Sequence, residues 1–155
     1  MINYIIGDAT EPIIKPTIIA HCCNDIGKWG SGFVVPLGNK YPLAKEIYLM
    51  MNNRTLGAVD FITAYKDTHN IIIANIIGQH GISNYSMLPT NNPPIRYEAI
   101  RQGFDTIINW IYPRGIKTIH MPRIGCGLAG GRWFEIEKIL NQYTETQFYV
   151  YDLPE

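Results

Sequence analysis

Two hydrophobic periodicities alternate along the chain. Short runs rich in β-branched or aromatic residues predict strands at Ile2 to Ile6, Thr17 to Cys22, Ala58 to Tyr65, Ile71 to Ile77, Lys117 to Met121 and Gln147 to Tyr151. Ile71-Ile72-Ile73 is apolar on both faces, as suits a central strand covered by helices on either side. Between these runs the apolar positions recur every three or four residues. Leu43, Ile47, Met50 and Met51 form one such stripe. Ile100, Phe104, Ile107, Ile108 and Ile111 form the longest, and Trp133, Ile136, Leu140 and Tyr143 form a third. A shorter helix is expected after Gly32, running towards Tyr41-Pro42. Pro94 suits the first turn of the longest helix, and Pro113-Arg114-Gly115 ends it.

Strands alternating with helices predict a three-layer α/β/α sandwich around a central mixed sheet of about six strands. With 155 residues the chain is expected to be one domain, 1–155. A polar turn is expected at Asp67-Thr68-His69-Asn70. The segment from Gly78 to Pro94 is too irregular and too long for a plain connection, which marks it as a functional or mobile loop.

Composition narrows the function classes. Hydrophobic residues make up 46% and charged residues 17%, a globular balance. Thirteen basic residues offset thirteen acidic ones, which argues against a nucleic-acid or anionic-membrane partner. An anionic ligand must then be held by local geometry. No apolar run reaches the ~20 residues that span a bilayer. Three cysteines, Cys22, Cys23 and Cys126, point to a reducing compartment, the cytoplasm, and not to disulfides. Cys22 and Cys23 are adjacent on a strand and face opposite ways, so a shared metal is not expected. No cofactor is expected, and a monomer is.

Two glycine-rich loops carry the candidate chemistry. Asn24-Asp25-Ile26-Gly27-Lys28-Trp29-Gly30-Ser31-Gly32 follows the second strand. Gly125-Cys126-Gly127-Leu128-Ala129-Gly130-Gly131 follows the fifth and precedes a helix. Glycines let a ligand approach the main chain, and successive N–H groups there cradle an anion. Either loop alone reads equally well as a turn that needs glycine. Two of them at strand ends predict a clamp on a diphosphate, because open α/β sheets bind ligands at those ends. The second loop also spells G-x-G-x-x-G with Asp152 closing the next strand, but the chain ends three residues later, short of the strands a dinucleotide-binding half requires. No G-x-x-x-x-G-K-[ST] occurs.

With these loops in view the chain resembles the macrodomain family over nearly its whole length. Gly7-Asp8-Ala9-Thr10, His21-Cys22-Cys23-Asn24 with Trp29-Gly30-Ser31-Gly32, and Met121 to Leu128 carry the resemblance. It is nearest the subgroup of ADP-ribose 1''-phosphate phosphatases and ADP-ribosyl-glutamate hydrolases. The resemblance implies that Asp8 accepts a hydrogen bond from the adenine amino group and that the Ala9 amide lies beside it. It implies that Asn24 faces the distal ribose and that Gly30, Ser31, Gly32 and Phe33, with Gly125, Cys126, Gly127, Leu128 and Ala129, hold the diphosphate. In phosphatase-like members the positions of His21 and Asn24 belong to the catalytic end. The hydrolases' lysine and aspartate are absent: Gln79 and Ala129 stand near those places.

Three further residues complete the expectation. His80, at a strand end, is placed over the distal ribose or as a turn cap. Tyr151 is placed near the adenine, where a base could stack, and Trp29 beneath the first loop. The function implied is ADP-ribose binding with hydrolysis of ADP-ribose 1''-phosphate. The alternatives are a non-catalytic ADP-ribose or cyclic ADP-ribose module, and removal of ADP-ribose from protein or nucleic acid.

Overall fold

The computed structural model describes residues 1–14, 16–64, 71–82 and 93–155. The six strands are β1 (Ile2–Ile6), β2 (Thr17–Asn24), β3 (Val59–Ala64), β4 (Ile71–Gln79), β5 (Thr118–Met121) and β6 (Gln147–Asp152). The helices are α1 (Val34–Lys40), α2 (Pro42–Met50), α3 (Tyr97–Ile111) and α4 (Trp133–Leu140), with a 3-10 turn at Tyr112–Arg114 after α3. The strands form one sheet in the order β1-β6-β5-β2-β4-β3. All neighbours run parallel except β3, which closes one edge antiparallel to β4. The mixed three-layer sandwich expected from the sequence is therefore the fold.

Period-two alternation along the central strands builds both layers. On β2, Ile18 and Ala20 pack with Phe104, Ile107 and Ile136 of α3 and α4. The intervening Ile19 and Cys23 pack with Leu37, Ala44 and Tyr48 of α1 and α2. β4 does the same, with Ile72, Ala74 and Ile76 on one side and Ile71, Ile73 and Ile77 on the other. Both of its faces are buried, so it tolerates no polar alternation.

Several boundaries differ from the sequence pattern. β4 runs two residues further, to Gln79, so Gly78 is strand and not loop. A side chain at Gly78 would meet Ile100 Cδ1 at 2.2 Å, so this glycine lets α3 pack closely. The α3 helix begins at Tyr97, three residues after Pro94, because Ile95 first bridges to Gln79. Tyr143 lies beyond α4, whose stripe ends at Leu140. The expected turn at Asp67 to Asn70 and the middle of the loop from Gly78 to Pro94 lie outside the described residues. No helix among the described residues is long and apolar enough to cross a membrane.

Candidate functional site

Parallel strands put the carboxyl ends of β1, β6, β5, β2 and β4 on one side of the sheet. The loops after β2 and β5 are neighbours there, because those two strands pair. Between them lies a cleft. Its smaller part, about 190 Å³, is lined by Ser31, Gly32 and Phe33 from the first loop and by Gly125, Gly127 and Ala129 from the second. Its larger part, about 490 Å³, continues over Asn24, Lys28, Trp29, Gln79 and Ile82. Cys22, Ser31, Val34, Gln79 and Leu128 line both parts.

The main-chain amides of these loops fall into two sets. The N–H groups of Asp25, Ile26, Gly27 and Lys28 are consumed, by Gln79 O, Asn24 Oδ1, Tyr48 Oη and Asn24 Oδ1 respectively. Those of Gly30, Ser31, Gly32 and Phe33 have no partner among the described residues, nor do those of Gly127 and Ala129. Unpaired amides around a concave surface are what an anion requires.

The glycines divide as well. A Cβ at Gly30, Gly32 or Gly127 would meet nothing within 4 Å. By contrast, a Cβ at Gly125 would lie 2.3 Å from Ile95 Cδ1, and one at Gly131 would lie 2.4 Å from Gly125 O. Gly125 also has φ +70, a conformation that favours glycine. Gly125 and Gly131 therefore serve packing, and the others leave the cleft wall open. Cys126 turns its thiol back to Ile124 O at 3.4 Å. Leu128 is exposed at the rim of both parts, and Ala129 is buried.

Asn24 organises the first loop. Its Oδ1 accepts from the N–H of Ile26 and of Lys28, both at 3.1 Å, and from the Tyr48 hydroxyl at 2.7 Å. Its Nδ2 donates to Lys28 O at 2.7 Å. The side chain lines the cleft but is 7% exposed, so most of its hydrogen-bonding capacity goes into loop shape.

His21 is 1% exposed beneath that loop. Its ring meets Trp29 edge-on, with centroids 5.5 Å apart, and Phe33 at 6.0 Å. Asn75 Nδ2 donates to Ala44 O, which turns Asn75 Oδ1 towards His21 Nε2 at 2.5 Å. Burial pushes the imidazole down to about 4, against a small opposite effect of the Asn75 bond. It is therefore neutral, with Nε2–H donating to Asn75. His21 thus lines the floor of the smaller part of the cleft and supports Trp29 and Phe33.

Asp8 is exposed, and its Oδ1 takes both the N–H and the hydroxyl of Thr10, at 2.9 and 2.7 Å. No contact among the described residues engages its Oδ2 or the Ala9 N–H. Tyr151 is 5% exposed and lies under Gly7, where an added Cβ would touch its ring at 3.5 Å. Its hydroxyl accepts from Ile13 N–H at 3.2 Å and pairs with His120 Nδ1 at 2.6 Å. It thus props the Gly7-Asp8 turn from below and offers little ring face to a base. Trp29, likewise, packs under its loop against Tyr48.

Two pairs escaped the sequence reading. Arg123 grips Asp152 with Nε and Nη2, at 2.7 and 2.8 Å, and lies over the rings of Tyr4 and Trp133. The guanidinium holds the Asp152 carboxyl below its usual range, so this acid serves a side chain and not a ribose. Their separation of 29 residues hides the pair from local pattern. At the far end, His80 Nδ1 meets Asp25 Oδ2 at 2.7 Å.

Fold and cleft together define an α/β sandwich with an amide-lined cleft at its strand ends, of a kind suited to an anion. A macrodomain protein from Streptomyces coelicolor is 33% identical, with 98% of this chain and 99% of that one covered and a TM-score of 0.78. The chain belongs to the macrodomain family. A protein of unknown function from Bacteroides thetaiotaomicron is 42% identical over 99% of this chain and 98% of its own, with a TM-score of 0.85. An ADP-ribose 1''-phosphate phosphatase from Saccharomyces cerevisiae is 27% identical over 174 residues, covering 98% of each chain. No protein-family model matches the chain.

Proposed function

We propose that the protein binds ADP-ribose or a derivative and releases phosphate from ADP-ribose 1''-phosphate, as one domain. The observation that supports this most is the pair of amide-lined cups on neighbouring strands, sharing one cleft. The diphosphate lies between Gly30 to Phe33 on one side and Gly127 to Ala129 on the other. Asp8 Oδ2 and the Ala9 amide receive the adenine edge. The distal ribose and its substituent occupy the larger space over Asn24, Lys28 and Gln79. The name of the yeast relative supports the phosphomonoester as substrate.

In this reading His21 and Asn24 act through the loop. Asn24 fixes the main chain of Lys28, a residue that lines the larger part of the cleft and forms no ion pair among the described residues. A cation there favours a substrate that ends in phosphate over one that ends in a hydroxyl. The amides that grip the diphosphate stay fixed during reaction, so they cost no reorganisation as charge develops.

A second reading has its own support. Gln79 spends its amide on Gly81 O at 2.9 Å, and Ala129 is buried, so neither position holds an acid or base. That favours a non-catalytic binding module over a hydrolase of ADP-ribosylated protein. Incubation with ADP-ribose 1''-phosphate and with ADP-ribosylated protein side by side, with products followed by mass, separates the readings. Phosphate from the first substrate alone supports the proposal. Binding with turnover of neither selects the module.

A further inference from the structure

Hydrolysis of a phosphomonoester leaves an alkoxide on the ribose, and that oxygen needs a proton. His21 lines the smaller part of the cleft, but it is 1% exposed and spends Nε2 on Asn75. His120 is also buried, with Nδ1 on Tyr151. Among the described histidines, His80 alone is exposed, with 64% of its side chain accessible.

The sheet places His80 beside a fixed carboxylate. The pairing of β2 with β4 slips by one residue after Cys23, so that Asn24 stands opposite Gln79. The next residue on each strand, Asp25 and His80, therefore emerges at adjoining tips. Asp25 N–H donates to Gln79 O at 3.0 Å. Asp25 Oδ1 accepts from Gly81 N–H at 2.8 Å, in a tight turn where Gly81 has φ +68. Its Oδ2 faces His80 Nδ1 at 2.7 Å. A carboxylate held at both oxygens fixes the imidazole's orientation and puts a proton on Nδ1, which leaves Nε2 to exchange the other. Asn24 and Gln79, immediately before this pair, and Ile82, just after it, line the larger part of the cleft, as does Lys28.

We propose that His80 is the general acid of this hydrolysis and that Asp25 orients its imidazole. The inference rests on the phosphatase reading. As the bond from water oxygen to phosphorus forms, the bond from phosphorus to the anomeric oxygen breaks with its electron pair on that oxygen. His80 Nε2 delivers its proton there. The attacking water loses a proton to solvent, which also reprotonates His80, and the products are ADP-ribose and inorganic phosphate. A loose transition state asks more of the leaving oxygen than of the nucleophile, which is where an acid at the distal end acts. Asp25 is the charged group in hydrogen-bond contact with His80, and Lys28 is the charged side chain of the neighbouring cleft wall; the pair itself stands at the rim, between Gln79 and Ile82 of that wall.

The test uses the full chain and ADP-ribose 1''-phosphate. In His80→Ala and His80→Gln, kcat falls about 100-fold or more, while ADP-ribose affinity by calorimetry stays within about threefold. Asp25→Asn lowers kcat in the same direction while KM stays within about threefold. Wild-type turnover that persists unchanged in His80→Ala overturns the dyad and leaves the phosphatase reading standing. A wild-type protein that binds ADP-ribose but releases no phosphate overturns that reading and the role of His80 with it.

Discussion

Asn24 and Lys28 are bonded to each other twice, the side-chain amide of Asn24 donating to Lys28 O at 2.7 Å while its oxygen accepts Lys28 N–H at 3.1 Å. The turn is thereby closed by a side chain, and the amides beyond it are free to face the cleft. Asn24→Ala removes both links and leaves the buried Tyr48 hydroxyl with one acceptor fewer. The expected cost is about 2–3 kcal/mol of stability. ADP-ribose affinity is expected to fall at least tenfold, as read by urea denaturation and calorimetry. Unchanged affinity in a folded variant removes the loop from the binding site.

The glycines provide a sharper experiment, because the structure separates those that pack from those that face open space. Alanine at Gly30 or Gly127 meets no protein atom within 4 Å. Each variant should melt within about 2 °C of the wild type. Each should bind ADP-ribose about tenfold or more weakly, since a methyl group obstructs the approach of phosphate to the main chain. Gly125→Ala should do the reverse and destabilise the fold, because its Cβ meets Ile95 at 2.3 Å. Full binding by Gly30→Ala and Gly127→Ala together would be incompatible with the proposed path of the diphosphate.

Asp8 has two separable duties. Its Oδ1 shapes the turn with Thr10, and its Oδ2 is assigned to the adenine amino group. Asparagine keeps an acceptor for Thr10 but can offer a donor where adenine needs an acceptor. Asp8→Asn should therefore fold normally and lose about tenfold in ADP-ribose affinity, with a smaller loss for a ligand that lacks the amino group. Equal losses for both ligands would assign Asp8 to the turn alone.

Stability should depend on pH through the buried histidines. Unfolded His21 titrates near its ordinary value of 6.5, whereas the folded group is pushed down to about 4. Between these values the unfolded chain takes up a proton that the folded one excludes. Its contribution is thus complete above pH 6.5 and is lost as pH falls towards 4. The difference corresponds to about 3 kcal/mol. His120, pushed down to about 4 by burial, adds in the same direction. Urea midpoints measured from pH 7.5 down to 4.5 should fall steadily, and a flat profile would show that His21 is solvated.

How far the chain could be read before the fold was known follows from the range of each interaction. The strands at Ile71 and Gln147 were legible because β-branched and aromatic runs declare themselves locally, and both loops because glycines follow strand-like runs. Burial of an individual side chain is not local. His21 and His80 look alike as letters, yet one lies under Trp29 and the other stands in solvent. Likewise Gly125 and Gly127 look alike as letters, yet only the first has φ +70 and Ile95, thirty positions away, against it. The extension of β4 through Gly78 was hidden because a glycine reads as a breaker until Ile100 is seen to need the space.

The pairing of β2 with β5 carries one more consequence. Neighbouring strands stand roughly 5 Å apart, and hydrogen bonds hold that interval fixed. The two cups inherit it as a ruler. Breathing of the loops alters how deep a guest sits but not the interval between its points of attachment. A rim side chain such as Ile82 can therefore change and admit new distal groups, while the spacing on which the proposed pyrophosphate grip depends is preserved by the sheet itself.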